Sequence, residues 1–129
     1  MVNPVAARPY IYVTYNDLDI TTPANKAEAY YVVSTDGGIT WTAPAKVNDD
    51  AAGDQFMPTA AIITTGDRNL FGYYSRSHDP ANLVFHRRAR FGALNAVSGV
   101  VTPFRASFQL GADTPIVIGQ DPEIGRAHV

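Results

Sequence analysis

One eight-residue stretch decides the fold of this chain: Ser34-Thr35-Asp36-Gly37-Gly38-Ile39-Thr40-Trp41. It follows an aromatic and β-branched run at residues 30–34, a composition that favours a β-strand. The Asp-Gly-Gly sequence indicates a chain reversal, because glycine adopts the positive φ of tight turns and aspartate oxygens accept hydrogen bonds from nearby amides. We therefore predict a β-hairpin over residues 30–47, with its turn at Asp36 to Gly38 and with the Trp41 ring largely buried beside it.

The composition is that of a globular all-β domain. The chain has 129 residues, of which 46% are hydrophobic and 17% charged, and its ten glycines and nine prolines punctuate many short apolar runs. Ten basic and twelve acidic residues give a net charge of -2, so we expect neither nucleic acid nor an anionic membrane as a partner. No apolar run approaches the ~20 residues of a membrane span. The absence of cysteine excludes disulfides and thiolate metal sites.

Short strands are predicted along the chain, and no stretch of ten or more residues shows helical periodicity. The predicted strands are residues 10–15, 30–34, 41–47, 59–64, 70–75, 82–90, one or two within 97–108, and 115–118. Pro44 indicates that the third strand lies at a sheet edge, because proline cannot donate to a β-ladder. The polar residues 16–26 are predicted to form a loop.

The eight-residue stretch has the pattern S-x-D-x-G-x-T-W, and it resembles the Asp box of bacterial neuraminidase (BNR) repeats, found in sialidases and related β-propellers. The matching positions are Ser34, Asp36, Gly38, Thr40 and Trp41. Residues 46–50, 53–58, 74–76, 79–82 and 119–122 are also similar to segments of that family. The resemblance implies antiparallel β-propeller blades, with the box as a structural fastener that lies away from the catalytic centre.

The resemblance also implies two blade-like units. The first is residues 1–50, which contain the box, and the second is residues 51–129, with a degenerate box at 91–95 and a loop-like C-terminus. A weak internal repeat, residues 12–15 against 71–74, agrees with this division. Because a complete sialidase propeller has six blades, we expect the chain to be part of a longer protein. The remaining blades, or self-association, would then cover its strand edges.

The catalytic chemistry of the family cannot be placed on this chain. Sialidases grip the substrate carboxylate with arginines, use a tyrosine activated by a glutamate as nucleophile, and use an aspartate as acid/base. This chain has only two glutamates, Glu28 and Glu123, and the family's arginine motif has no match. The catalytic residues are therefore unassigned, and whether the parent is an exo-sialidase-like glycoside hydrolase stays open. We expect the isolated chain not to hydrolyse sialosides.

One predicted loop carries candidate ligand-binding residues. Tyr74, Arg76, His78 and Asp79 lie at a strand end and in the loop after it, where propellers expose ligand groups. A salt-bridged surface loop is the alternative, and we favour it because arginine near aspartate is ordinary surface chemistry. In the family an aspartate commonly precedes the arginine. This chain has Ser75 there, which argues against a catalytic role.

Metal ligands are weakly indicated. Asp49, Asp50 and Asp54 are candidate oxygen ligands for calcium, but the EF-hand pattern is absent, and a solvated loop between blades is the favoured alternative. The three histidines, His78, His86 and His128, show no metal-ligand spacing. No cofactor other than this candidate calcium ion is predicted.

The resemblance implies that the parent protein binds or hydrolyses extracellular glycans and that this segment is mainly structural. It also implies an extracellular or periplasmic location, although residues 1–10 lack the basic start and apolar middle of a signal peptide. The alternative is a non-catalytic propeller scaffold for protein–protein interaction. The two functions share a fold, and a fold does not choose between functions.

Overall fold

A computed structural model describes residues 10–19, 26–62, 68–81, 83–95 and 97–115. In these residues the chain is all-β, as predicted. The strands are β1 (Ile11–Asp19), β2 (Lys26–Ser34), β3 (Ala45–Lys46), β4 (Gln55–Ile62), β5 (Arg68–Ser75), β6 (Val84–Leu94), β7 (Val101–Phe104) and β8 (Phe108–Pro115). The described residues contain no helix that could cross a membrane.

The strands form two antiparallel sheets. The first has the order β1-β2-β3, and the second has the order β4-β5-β6-β7 with β8 also paired to β6. One of the sheets is strongly curled into a half-barrel. The chain passes from one sheet to the other between Lys46 and Gln55. The assignment of each half to a propeller blade stays a prediction.

One hydrophobic core joins the two sheets. Tyr31 of β2 stacks on Phe71 of β5 with ring centroids 5.0 Å apart, and Phe71 contacts Phe104 of β7 at 5.7 Å. The Tyr31 hydroxyl accepts the amide of Val101 at 3.0 Å, and the Tyr12 hydroxyl donates to a carbonyl on the loop before β7 at 2.5 Å. Buried residues alternate along β5, as expected for a strand with one face on a core. The two sheets therefore bury a common apolar face.

The predicted hairpin is present. β2 and β3 are antiparallel, with Tyr30 opposite Lys46 and Tyr31 opposite Ala45. β3 is two residues long, shorter than the predicted strand at 41–47, and it lies at the edge of its sheet, where Pro44 places it. The predicted strand at 115–118 and the loop-like end fall largely on residues 116–129, which lie outside the described residues.

The predicted loop at residues 16–26 is wrong at both ends. β1 continues to Asp19 and β2 begins at Lys26, while residues 20–25 lie outside the described residues. Asn16 explains the error, because its polar side chain joins the sheets. Its amide nitrogen donates to the Gln55 carbonyl, and its oxygen accepts the amide of Met57, both at 2.8 Å. These bonds lie beside an irregularity in β4, where the φ of Met57 is +51°.

Candidate functional site

Residues 34–41, which we call the Asp36 turn, are held closed by two side chains. The Asp36 carboxylate accepts the Ile39 amide at 3.1 Å, the Thr40 amide at 2.9 Å and the Thr40 hydroxyl at 2.5 Å. The Ser34 hydroxyl donates to Asp36 at 2.8 Å. The pKa of Asp36 is lowered to about 2, first by the Thr40 hydroxyl and then by the Thr40 amide and Ser34. The carboxylate is therefore ionised and satisfied by the turn itself.

Trp41 differs from the prediction, since 44% of its surface is exposed. Its indole N–H donates to the Gly38 carbonyl at 3.1 Å, and a Cβ added to Gly38 would lie 3.8 Å from the ring. Gly37 and Gly38 have φ of +76° and +96°, which places the reversal where the sequence predicts it. The ring packs on the turn backbone at Gly38, and much of the rest of its surface is open to solvent.

Replacing Asp36 with alanine is expected to lower the melting temperature by several degrees, because the amides of Ile39 and Thr40 lose their acceptor. The stabilisation is present above the unfolded-state pKa of ~3.9 and is lost as the pH falls through about 2. Thermal unfolding followed by circular dichroism measures the effect. The control is Asp17→Ala, which removes a carboxylate that accepts the neighbouring Leu18 amide. Equal losses in the two variants would show that the Asp36 turn contributes no special stability.

The three candidate calcium ligands bind protein donors in different places. Asp49 accepts the Ser107 amide and hydroxyl at 2.9 and 2.5 Å, Asp50 accepts the Ser75 hydroxyl at 2.7 Å, and Asp54 accepts the Ala27 amide at 2.9 Å. Burial acts to raise the pKa of Asp49, but the bonds from Ser107 and the nearby charge of Arg90 outweigh it, and the pKa is lowered. In the described part of the chain these carboxylates do not form a group of converging metal ligands. Calcium binding stays a prediction.

The four residues of the candidate ligand loop do not converge on one point. The Tyr74 ring stacks on Phe56 with centroids 5.4 Å apart, inside an aromatic cluster. Asp79 accepts three amides of the following turn, which lowers its pKa, with the amide of Leu83 the largest cause. His78 faces a second histidine and an aspartate on another strand. The side chains of Tyr74 and Asp79 are therefore engaged in structural contacts. Arg76 and His78 are the two residues of this loop that stay candidates for ligand binding.

Arg76 lines a cavity of about 490 Å³, which we call the Arg76 cavity. Its wall also includes Lys26, Gly53, Asp54 and Asp79. Gly53 has a φ of +68°, and a Cβ added there would lie 2.8 Å from the carbonyl carbon of Arg76. The Arg76 amide donates to the Asp54 carbonyl at 3.0 Å. The acidic loop and the strand end after β5 are thus held together by close backbone contact, which fixes one wall of the cavity.

The two cations of the cavity differ in their partners. Lys26 is paired with Glu28 at 2.7 Å and donates to the Asp50 carbonyl at 3.2 Å. The Arg76 guanidinium lies 5.5 Å from the centre of the Phe56 ring, and its buried Nε atom has no hydrogen-bond partner among the described residues. A buried donor without an acceptor costs about 1 to 3 kcal/mol.

A second group of side chains was not predicted from the sequence. His78, His86 and Asp113, which we call the His-His-Asp cluster, bring ligand atoms within 4.8 Å of one another. His86 lies on β6 and Asp113 on β8, and these strands pair directly. The sequence separations of 8 and 27 residues match no metal motif. The cluster could not be predicted from sequence spacing, because the pairing of β6 with β8 is what brings His86 and Asp113 together.

Comparisons with protein-family models, with curated proteins and with solved structures found no match to this chain. The fold and the sites define an all-β chain of two antiparallel sheets with a self-contained turn, a cavity lined by two cations and two carboxylates, and a cluster of two histidines and an aspartate.

Proposed function

We propose that this chain is a segment of a sialidase-like Asp-box β-propeller protein that binds extracellular glycans, with the Asp36 turn as a structural fastener. The observation that carries the proposal is the set of hydrogen bonds within this turn. Asp36 accepts two amides and a hydroxyl from inside the turn, which is what a fastener requires. A carboxylate that is fully engaged in this way is not available as a catalytic acid.

The Arg76 cavity is the proposed place for the ligand. A planar guanidinium matches a carboxylate in geometry and charge, and sialic acids carry a carboxylate. Arg76 lines the cavity and its guanidinium lies over the Phe56 ring, so this side chain is the proposed partner of the carboxylate. The neighbouring Asp54 carboxylate, which accepts one backbone amide, supplies a further acceptor for sugar hydroxyls.

The segment is proposed to bind without catalysing. Arg105, another candidate for a carboxylate clamp, lines a different cavity, together with Arg68 and Phe91. The guanidinium of Arg105 lies 5.8 Å from the centre of the Phe91 ring. Because Arg76 and Arg105 line separate cavities, they do not form one clamp. Hydrolysis by the parent protein, and its extracellular or periplasmic location, are part of the same proposal and rest on the sequence resemblance.

The alternative function is a non-catalytic scaffold for protein–protein interaction. Exposed apolar residues favour it: Ile39 and Trp41 are 81% and 44% exposed on the Asp36 turn, and Phe108 and Leu110 are 42% and 41% exposed on β8. These side chains offer packing surface to further blades, to a second copy or to another protein.

Replacing Arg76 with alanine is expected to weaken the binding of a sialyl-oligosaccharide at least about tenfold, because a hydrogen bond to a charged group contributes about 1.5 to 3 kcal/mol. Isothermal titration calorimetry measures the Kd, with the desialylated sugar as the ligand control. Arg105→Ala is the matched protein control, since it also removes an arginine stacked on a phenylalanine.

An equal loss of affinity in both variants would show that the overall positive charge of the chain, and not the Arg76 cavity, determines binding. If the wild-type chain does not bind the sugar, the scaffold function remains. Pull-down or oligomeric-state measurements that compare the wild type with Ile39→Ser would then test that function. Cleavage of a fluorogenic sialoside by the wild-type chain, abolished in Arg76→Ala, would contradict the non-catalytic role.

A further inference from the structure

We propose that His78, His86 and Asp113 form a binding site for a divalent transition-metal ion, with Zn²⁺ the ion that fits best. The three side chains come from three parts of the second sheet: the turn after β5, the beginning of β6, and β8. His86 is buried, whereas the side chains of His78 and Asp113 are 34% and 43% exposed. The site therefore has a fixed inner ligand and two outer ligands that solvent reaches.

The distances agree with tetrahedral coordination. Zinc binds histidine nitrogen and carboxylate oxygen at about 2.0 to 2.2 Å, which places neighbouring ligand atoms of a tetrahedron roughly 3.3 to 3.5 Å apart. Nε2 of His78 lies 3.3 Å from Nδ1 of His86. The Asp113 oxygens lie 2.9 Å from His78 Nε2 and 3.5 Å from His86 Nδ1. An ion fits between these atoms with only small shifts of the side chains.

The type of ligand selects the type of ion. Two imidazole nitrogens and one carboxylate suit zinc and other transition metals, whereas calcium and magnesium prefer sites made of oxygen. Three protein ligands leave a fourth position, which the exposure of His78 and Asp113 opens to water. A bound ion would also link the turn after β5 to β8, and so stabilise this side of the second sheet.

Arg88 acts against the ion. Its Nη1 atom lies 3.4 Å from Nε2 of His86, and its Nε and Nη2 atoms donate to Ser107 at 2.9 and 3.0 Å. When His86 binds a metal through Nδ1, its proton sits on Nε2 and faces this guanidinium. A small displacement of the ring is then required, and the positive charge of Arg88 reduces the affinity. We therefore expect weaker binding than at a closed structural zinc site.

The test is calorimetric titration of the purified, tag-free chain with ZnCl₂ at neutral pH, with MgCl₂ and CaCl₂ as ion controls. The expected result is one Zn²⁺ per chain, with a raised melting temperature that a chelator reverses. His78→Ala and Asp113→Ala are each expected to weaken binding by at least ~10-fold, because loss of even an outer partner of a metal ligand costs 10- to 100-fold. Both side chains are partly exposed, so these variants should fold, and circular dichroism checks that they do.

His128→Ala is the matched control, because it removes the third histidine of the chain. Imidazole ¹⁵N NMR adds a direct readout: Zn²⁺ should shift Nε2 of His78 and Nδ1 of His86. Absence of Zn²⁺ binding, or stoichiometric binding that survives in folded His78→Ala, would overturn the proposal. Loss of binding in His128→Ala alone would also overturn it. The result is independent of sugar binding at Arg76, since neither experiment uses the other's ligand.

Discussion

Replacing Phe71 with alanine is expected to lower the free energy of unfolding by about 3 to 5 kcal/mol, the cost of a large cavity in a packed core. Phe71 is fully buried on β5, and its ring contacts Tyr31 of the first sheet and Phe104 of β7. Because small domains are stable by only about 5 to 15 kcal/mol, this loss is a large part of the total. Urea unfolding, followed by tyrosine and tryptophan fluorescence, measures it.

The control for Phe71 is Phe108→Ala, which removes the same side chain from a position that is 42% exposed. We expect the control to lose less than half as much stability. The core shared by both sheets also predicts that fluorescence and circular dichroism report a single transition. Separate transitions, with the first sheet unaffected by Phe71→Ala, would show that the two sheets fold independently.

Replacing Glu28 with glutamine is expected to lower the free energy of unfolding by about 3 to 5 kcal/mol, as for removal of one partner from a buried ion pair. The Glu28 side chain is 0% exposed and pairs with Lys26 at 2.7 Å and with Lys46 at 2.5 Å. Asn48 donates to the same carboxylate at 3.3 Å. Without this charge the Lys26 ammonium, in a side chain only 10% exposed, loses its ion-pair partner at 2.7 Å.

The control for Glu28 is Lys46→Met. The Lys46 side chain is 43% exposed, and Glu28 keeps Lys26 as a partner, so removal of Lys46 should cost less stability than removal of the Glu28 charge. Urea unfolding at neutral pH compares the two variants. If Glu28→Gln lowers the free energy of unfolding no more than Lys46→Met does, the buried Glu28 charge does not stabilise the fold through its ion pairs.

The effect of Glu28 should depend on pH. Burial acts to raise the pKa of Glu28, but hydrogen bonds from Lys26, Lys46 and Asn48 outweigh burial, and the pKa is lowered in the folded protein. The stabilisation is therefore present above the unfolded-state pKa of ~4.3 and is lost as the pH falls through the lower folded value. The difference between wild type and Glu28→Gln should narrow as the pH falls below the unfolded-state pKa of ~4.3. An unchanged difference would contradict this linkage.

The sequence predicts most of the strands because local chemistry determines them. Aromatic and β-branched runs become β1, β2 and β5, and the turn oxygens of Ser34 and Asp36 bond within a few residues of themselves. Such interactions can be predicted from residues close together in the sequence. The exposure of Trp41 cannot be predicted in this way, because it depends on which other parts of the fold cover the ring.

The sites are less predictable, because distant segments build them. In the sequence Gly53 looks like an ordinary loop glycine. In the structure its lack of a Cβ allows the acidic loop to pack against the backbone of Arg76. Asn16 reads as loop, yet its amide bridges the two sheets. His86 and Asp113 meet because β8 returns to pair with β6, a pairing that no local pattern encodes. Arg76 and His78 were both predicted as ligand-binding residues of one loop. In the structure Arg76 lines the Arg76 cavity and His78 belongs to the His-His-Asp cluster.

The most direct test of the proposed function is a map of amide chemical shifts during titration of the ¹⁵N-labelled chain with a sialyl-oligosaccharide. If the Asp36 turn is structural and the Arg76 cavity binds the sugar carboxylate, the largest shifts will be those of Gly53, Arg76 and Ser77. The amides of Gly38 and Thr40, which are bonded inside the turn, will move little. Large shifts at Gly38 and Thr40 with none around Arg76 would contradict the proposal and would make the Asp36 turn itself the binding site.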